Sequence, residues 1–208
     1  MYPWVTHTYN VIKGKCPHDC PYCYMKVYRN LPELHLDPKE LKVDLGEGNF
    51  IFVGSSCDMW ATVIPSEWIE LVLEKCQNYS NRYLFQSKNP ERFHYYSLAF
   101  PLHSIFGTTI ETNRFAGGLA PIPYYRYKAM REMPGHKMVS IEPIMDFDLY
   151  TVIKWIQEIG PDFVSIGADS KGHHLPEPSP DKIDRLIKEL SEFTVVKVKS
   201  NLKRLQKA

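Results

Sequence analysis

Cys16, Cys20 and Cys23 lie in the stretch Lys15-Cys-Pro-His-Asp-Cys-Pro-Tyr-Cys-Tyr24, a C-x3-C-x2-C triplet that follows an apolar run. Three thiolates on one tight loop can grip three corners of a cubic [4Fe–4S] cluster and leave the fourth iron open. A structural zinc normally takes four protein ligands. No fourth cysteine stands near, because Cys57 and Cys76 are far downstream and show no paired spacing. His18 could supply a nitrogen, but it sits inside the three-residue spacer and is expected to turn away from a metal. The competing readings are a zinc knuckle and three unrelated thiols.

A disulfide framework does not suit this chain. Its 208 residues are enough to bury a core of their own, and it has only five cysteines. Reduced thiols of a cytoplasmic protein fit better. The first residues, Met1-Tyr-Pro-Trp-Val-Thr-His7, have neither the basic nor the apolar segment of a signal peptide. No run approaches the roughly 18–20 apolar residues that span a bilayer, so a soluble protein without membrane contact is expected. With 44% hydrophobic and 24% charged residues the chain is globular in composition. A net charge of +1 gives no molecule-wide field for a polyanion. Only the segment with Lys197, Lys199, Lys203, Arg204 and Lys207 is locally basic, either as a solvated tail or as a polyanion contact.

Apolar runs and helix-period runs alternate along the sequence. Strands are expected at Trp4–Ile12, Phe50–Ser55, Arg82–Ser87, Ser104–Ile110, Lys137–Ile144 and Phe163–Gly167, with a seventh at Val195–Val198. Helices are expected at Pro65–Asn78, after Pro90, near Tyr124–Arg131, at Leu149–Ile159 and at Pro180–Glu192. In the first, Trp68, Leu71, Val72 and Leu73 mark the apolar face. Repeated strand–helix units imply a parallel sheet wrapped by helices. Six units are too few for the eightfold barrel, so residues 1–208 are read as one α/β domain, a partial (β/α)6 barrel of the TIM type. Two loops rich in Gly and Pro, Thr112–Pro123 and Asp169–Pro180, follow strands and should overlie the C-terminal mouth, as lids or as plain surface loops.

The triplet with aromatic Tyr22 before its last cysteine resembles the signature of the radical S-adenosylmethionine (SAM) superfamily. Four further stretches occur in order: Thr8-Tyr-Asn-Val-Ile-Lys-Gly-Lys-Cys16, Ile51-Phe-Val-Gly-Ser-Ser-Cys-Asp58, Phe85-Gln-Ser-Lys-Asn-Pro-Glu-Arg92 and Ser140-Ile-Glu-Pro143. Together they resemble a phage- and prokaryote-associated family of radical SAM-like proteins of unknown function, distantly similar to the spore photoproduct lyases. The resemblance runs nearly the whole length. It implies a partial barrel, cluster ligation by Cys16, Cys20 and Cys23, and SAM chelated to the open iron. It further implies reductive cleavage of SAM to methionine and a 5′-deoxyadenosyl radical, with an external flavodoxin- or ferredoxin-like reductant. The substrate stays open; a nucleic-acid base is one candidate.

Within that resemblance, polar residues at strand ends are candidates for the SAM pocket. Asp58, or the backbone at Ser55 and Ser56, would hold the methionyl ammonium; the competing role for Asp58 is a helix cap. Gln86 and Lys88 share a face, and Lys88 could pair with SAM's carboxylate. Thr109 and Glu111 share the next, with Glu111 placed for the ribose hydroxyls. Glu142, in an otherwise apolar strand, is costly to bury unpaired and should reach a polar pocket or a cation. Gly167-Ala168-Asp169 offers a backbone edge for adenine. The family pattern has serine where this chain has Cys57. The lyases carry a hydrogen-donating cysteine near the end of the matching strand, so Cys57 is a candidate hydrogen donor, or else packing. Cys76 reads as core, and His173-His174 as exposed loop residues. No G-x-x-x-x-G-K-[ST] loop, H-E-x-x-H site or G-x-S-x-G elbow is present. The expected function is therefore a SAM-dependent radical enzyme. The alternative is a zinc- or cluster-binding accessory protein, with or without nucleic acid, that performs no radical chemistry.

Overall fold

The structure is a computed structural model that describes residues 2–28 and 30–206. Its strands are β1 (His7–Tyr9), β2 (Ile12–Lys13), β3 (His35–Leu36), β4 (Phe50–Val53), β5 (Arg82–Ser87), β6 (Ser104–Thr109), β7 (His136–Ile141), β8 (Phe163–Ile166) and β9 (Val195–Val198). The helices are α1 (Ser66–Gln77), α2 (Pro123–Glu132), α3 (Leu149–Ile159) and α4 (Pro180–Ser191). A seven-stranded sheet runs in the order β1-β4-β5-β6-β7-β8-β9, every pair parallel. It does not close, so the architecture is a partial barrel with the seventh strand in place. The expected first strand is broken. After Tyr9 the chain turns, and Ile12–Lys13 pairs antiparallel with His35–Leu36 as a separate two-stranded unit. Pro143 ends β7 earlier than expected, because its ring nitrogen has no N–H for a ladder.

The two faces of the sheet differ in chemistry. Its outer face, with Ile51, Val53, Tyr83, Phe85, Val139, Ile141, Val164 and Ile166, packs under the helices in one large core. α1 contributes Ile69, Val72, Leu73 and Cys76, spaced by three and four residues on one stripe. That stripe is rotated from the expected one, and Leu71 is exposed. α4 begins on Pro180 with Ser179 capping the Lys182 amide, and buries Ile183, Leu186 and Leu190.

The inner face is layered. Thr8, Phe52, Leu84 and Ile105 stand in one register row, and Gln86, Gly107, Met138 and Phe163 in another. Thr109, Ser140, Ser165 and Lys197 form the next row. The row above continues the same alternation with Glu111, Glu142, Gly167 and Lys199. The interior thus turns from apolar to charged toward the C-terminal mouth. At the opposite end the Tyr2–Val5 segment fills the barrel. Tyr2 and Val5 pack with Leu84, Ile105, Met138 and Phe163, and Trp4 lies against them. Trp4 stacks on Tyr2 with centroids 4.7 Å apart, and meets Phe50 at 5.2 Å and Phe163 at 5.0 Å.

Candidate active site

The cysteine loop leaves β2 and crosses the mouth above β4, β5 and β6. Cys20 is buried, and Cys16 and Cys23 are half-buried. His18 does turn from a ligand position, inward to Asp58. Its Nε2 lies 2.9 Å from Asp58 Oδ2, an ion pair rather than an aligned hydrogen bond. Burial opposes a charged imidazolium, but Asp58 outweighs it and raises the His18 pKa above its ordinary value. Asp58 also accepts from the Ser87 hydroxyl, the Lys88 amide at 2.8 Å and the Trp60 amide at 3.0 Å. Burial alone would raise this carboxyl; His18 and the two backbone N–H groups hold it below the usual range. Its oxygens are therefore engaged within the protein, as an anchor of the cysteine loop.

Glu111 is the second carboxylate at this mouth and is fully enclosed. Lys88 Nζ lies 2.7 Å from its Oε1, Arg126 Nη1 lies 2.8 Å from its Oε2, and the Tyr22 hydroxyl donates to Oε1. Burial favours the neutral acid, yet Lys88 and Arg126 outweigh it and hold the pKa at about 2. A carboxylate buried here without those cations would cost several kcal/mol. Arg126 reaches Glu111 from α2, buried, and also donates to the carbonyls of Pro121 and Thr109. Lys88 Nζ stands 5.2 Å from the Tyr22 ring centre. Thr109 accepts from Gln86 Nε2 at 3.1 Å, and Gln86 in turn accepts from the Tyr2 hydroxyl at 2.9 Å.

The thiols have unequal surroundings. Cys57 is buried in the main core, against which Cys16 packs. The two thiols are coupled, so that Cys57 lowers the Cys16 pKa from its ordinary value and Cys16, with burial, raises that of Cys57. Burial raises Cys20 to about 11, with Lys88 pulling the other way. Among the described residues no three His, Cys, Asp or Glu side chains converge on a point for a single metal ion. The donor set itself, three thiols on one loop above a polar mouth, fits a cubic cluster, in which each thiolate takes a different iron. Each thiol gives up its proton on ligation.

The remaining expected residues line the mouth. Ser55 and Ser56 sit in a turn held by Asn10, whose Oδ1 accepts from the Ser55 hydroxyl at 3.2 Å and the Ser56 amide at 3.0 Å. The Tyr24 hydroxyl donates to the Ser55 carbonyl. Glu142 is ion-paired with Lys199, both half-buried. Gly167 makes room for them, because a Cβ there would lie 2.8 Å from Glu142 Oε1 and 3.1 Å from Lys199 Cδ. The first mouth loop is strapped onto the cysteine loop. The Leu119 amide donates to the His18 carbonyl at 2.7 Å, and Ala116 is buried with Cys20, Tyr22 and Met145. The second loop bounds a cavity of about 540 Å³ lined by Asp169, His174, Leu175, Ser200 and Arg204 among others. Asp169 is tied to His173 in that loop at 2.7 Å.

Sequence reasoning missed Arg126, Asn10 and the inward role of His18. Arg126 did leave a signal. It shares the buried stripe of α2 with Pro123, Ala129 and Met130, and a charge on such a stripe demands a buried counter-charge.

No family model and no curated protein matches the sequence. Among solved structures, a spore photoproduct lyase variant with bound S-adenosylmethionine and dinucleoside spore photoproduct matches at 13% identity with a TM-score of 0.61. The match covers 93% of this chain and 63% of that one. A cysteine-to-serine variant of the same lyase matches at 15% identity and a TM-score of 0.62. SuiB of Streptococcus suis, bound to its precursor peptide SuiA, matches at 10% identity with a TM-score of 0.62, over 96% of this chain and 50% of SuiB. The chain thus spans less than two thirds of either protein. Its fold is the partial barrel of these radical SAM enzymes.

Proposed function

We propose that this chain is a radical SAM enzyme in which Cys16, Cys20 and Cys23 hold a [4Fe–4S] cluster with one open iron. The observation that carries the proposal is the place of the cysteine loop. It lies across the C-terminal mouth of a parallel partial barrel, where active sites of such barrels form, beside a fixed ammonium group at Lys88. When bound, the cluster supplies one electron to cleave SAM, after reduction by a flavodoxin- or ferredoxin-like carrier. Lys88 has N–H groups beyond the one given to Glu111, and these suit SAM's carboxylate. The turn at Ser55 and Ser56 suits its ammonium. Thr109 and Glu142 face the same mouth and complete the binding wall, whereas Asp58 and Glu111 support it from behind. Leu175 and Met145, packed near Cys20 and Tyr22, exclude water from the loop's inner side.

A nucleic-acid base is the substrate we propose, by likeness to the lyase whose structure holds a dinucleoside photoproduct. Cys57 is the proposed hydrogen donor, supported by its place in the core against which Cys16 packs. The test is anaerobic reconstitution with iron and sulfide. A brown protein whose electron paramagnetic resonance spectrum changes on adding SAM is expected. A colourless protein that binds one zinc through four protein ligands would overturn the reading.

A further inference from the structure

Two carboxylates, Asp58 and Glu111, grip the cysteine loop at residues placed evenly about Cys20. Asp58 meets His18, two residues before it, and Glu111 meets Tyr22, two residues after it. The same carboxylates bracket Lys88, since Asp58 accepts from its backbone amide and Glu111 from its ammonium. Glu111 is buried and Asp58 half-buried, and the oxygens of both are engaged by protein groups. A third contact falls at the same point, where Gly118 has no Cβ to strike the His18 carbonyl at 2.8 Å or the Cys20 Cα at 3.1 Å.

We propose that Asp58 and Glu111 are positioning residues, a two-carboxylate clamp that sets the cysteine loop before any cofactor binds and registers Cys20 against Lys88. The clamp deepens the proposed function and rests on it only for what the loop receives. A loop fixed in this way loses little conformational freedom on ligation, so its order does not wait on the metal. His18 and Tyr22 are then not spacer residues. They are the two handles by which the barrel wall holds the loop.

The test uses the metal-free protein under anaerobic, thiol-reduced conditions, with iodoacetamide alkylation of each cysteine followed by peptide mass spectrometry. Cys76, at 0% exposure in the helix layer, reports global opening. His18→Leu and Tyr22→Phe should each speed alkylation of Cys20 at least about tenfold with Cys76 unchanged, as expected for local opening after loss of a charge-assisted contact. His18→Gln keeps a donor within reach of Asp58 but not the charge, and should speed Cys20 less than His18→Leu does. Unchanged Cys20 rates in both variants overturn the clamp. So does equal acceleration of Cys20 and Cys76, which marks general destabilisation, and so does a His18→Gln rate no lower than that of His18→Leu. Iron content after reconstitution is read separately. A wild-type chain that binds no iron yet follows the alkylation pattern would remove the cluster reading and leave the clamp standing.

Discussion

Single side chains at this mouth have roles that their residue types do not announce. Asp58, Lys88 and Glu111 all stand at the ends of neighbouring strands, where alternation and strand order place them. Nothing in the sequence shows that two of the three are spent on holding a loop. That depends on partners from distant segments, His18 and Tyr22 before them and Arg126 after. Glu111 makes the electrostatics testable. Its carboxyl, held at about 2 against an ordinary 4.5, contributes stability that is complete above the unfolded value and lost as pH falls through the folded one. The contribution at neutral pH is roughly 3 kcal/mol. Urea unfolding of wild type and Glu111→Gln should therefore differ by a constant amount above about pH 5, with the gap closing as the pH falls toward 2. A gap that stays constant into acid would show that the carboxylate's charge is not what stabilises the site.

At the level of elements the sequence was legible wherever a run had a period. β5, β9 and α3 fall where their apolar runs and the 3.6-residue repeat put them, although β9 at the sheet edge has no buried residue. Two-residue strands have no period, so β2 and β3 escaped notice and the first strand was drawn too long. The mouth loops were visible as Gly- and Pro-rich stretches, but not what they touch. Gly118 decides the strap's fit, with φ +80° and the His18 carbonyl where a Cβ would stand. Gly118→Ala should cost about 1–3 kcal/mol and lower hydrogen-exchange protection at the Leu119 amide. Gly48→Ala is the control, since Gly48 also has positive φ (+71°) but open space around it. Equal losses from both substitutions would assign the cost to backbone strain and not to the strap.

For the molecule as a whole, the open sheet leaves β1 and β9 without a sheet partner on one side among the described residues, and the Tyr2–Val5 segment packs into the barrel's lower end. Trp4 meets rings from β4 and β8, tilted to one and edge-on to the other, and Lys197 of β9 lies 4.7 Å from its ring centre, so one indole bridges the two sides of the split. Trp4→Ala should destabilise by about 2–4 kcal/mol in urea unfolding, because the bridge and its stacking are lost together. A change below about 0.5 kcal/mol would mean that the barrel's lower end holds without it. The strand order has a kinetic consequence as well. Each strand of the large sheet pairs with the next in the chain, so the layer can be laid down by successive modest loop closures. The contacts Tyr22–Glu111 and Tyr2–Gln86 join residues 89 and 84 positions apart, and they close late. The strands are thus paired before the clamp closes, and seating of the cysteine loop is the last step before the site can receive a cofactor.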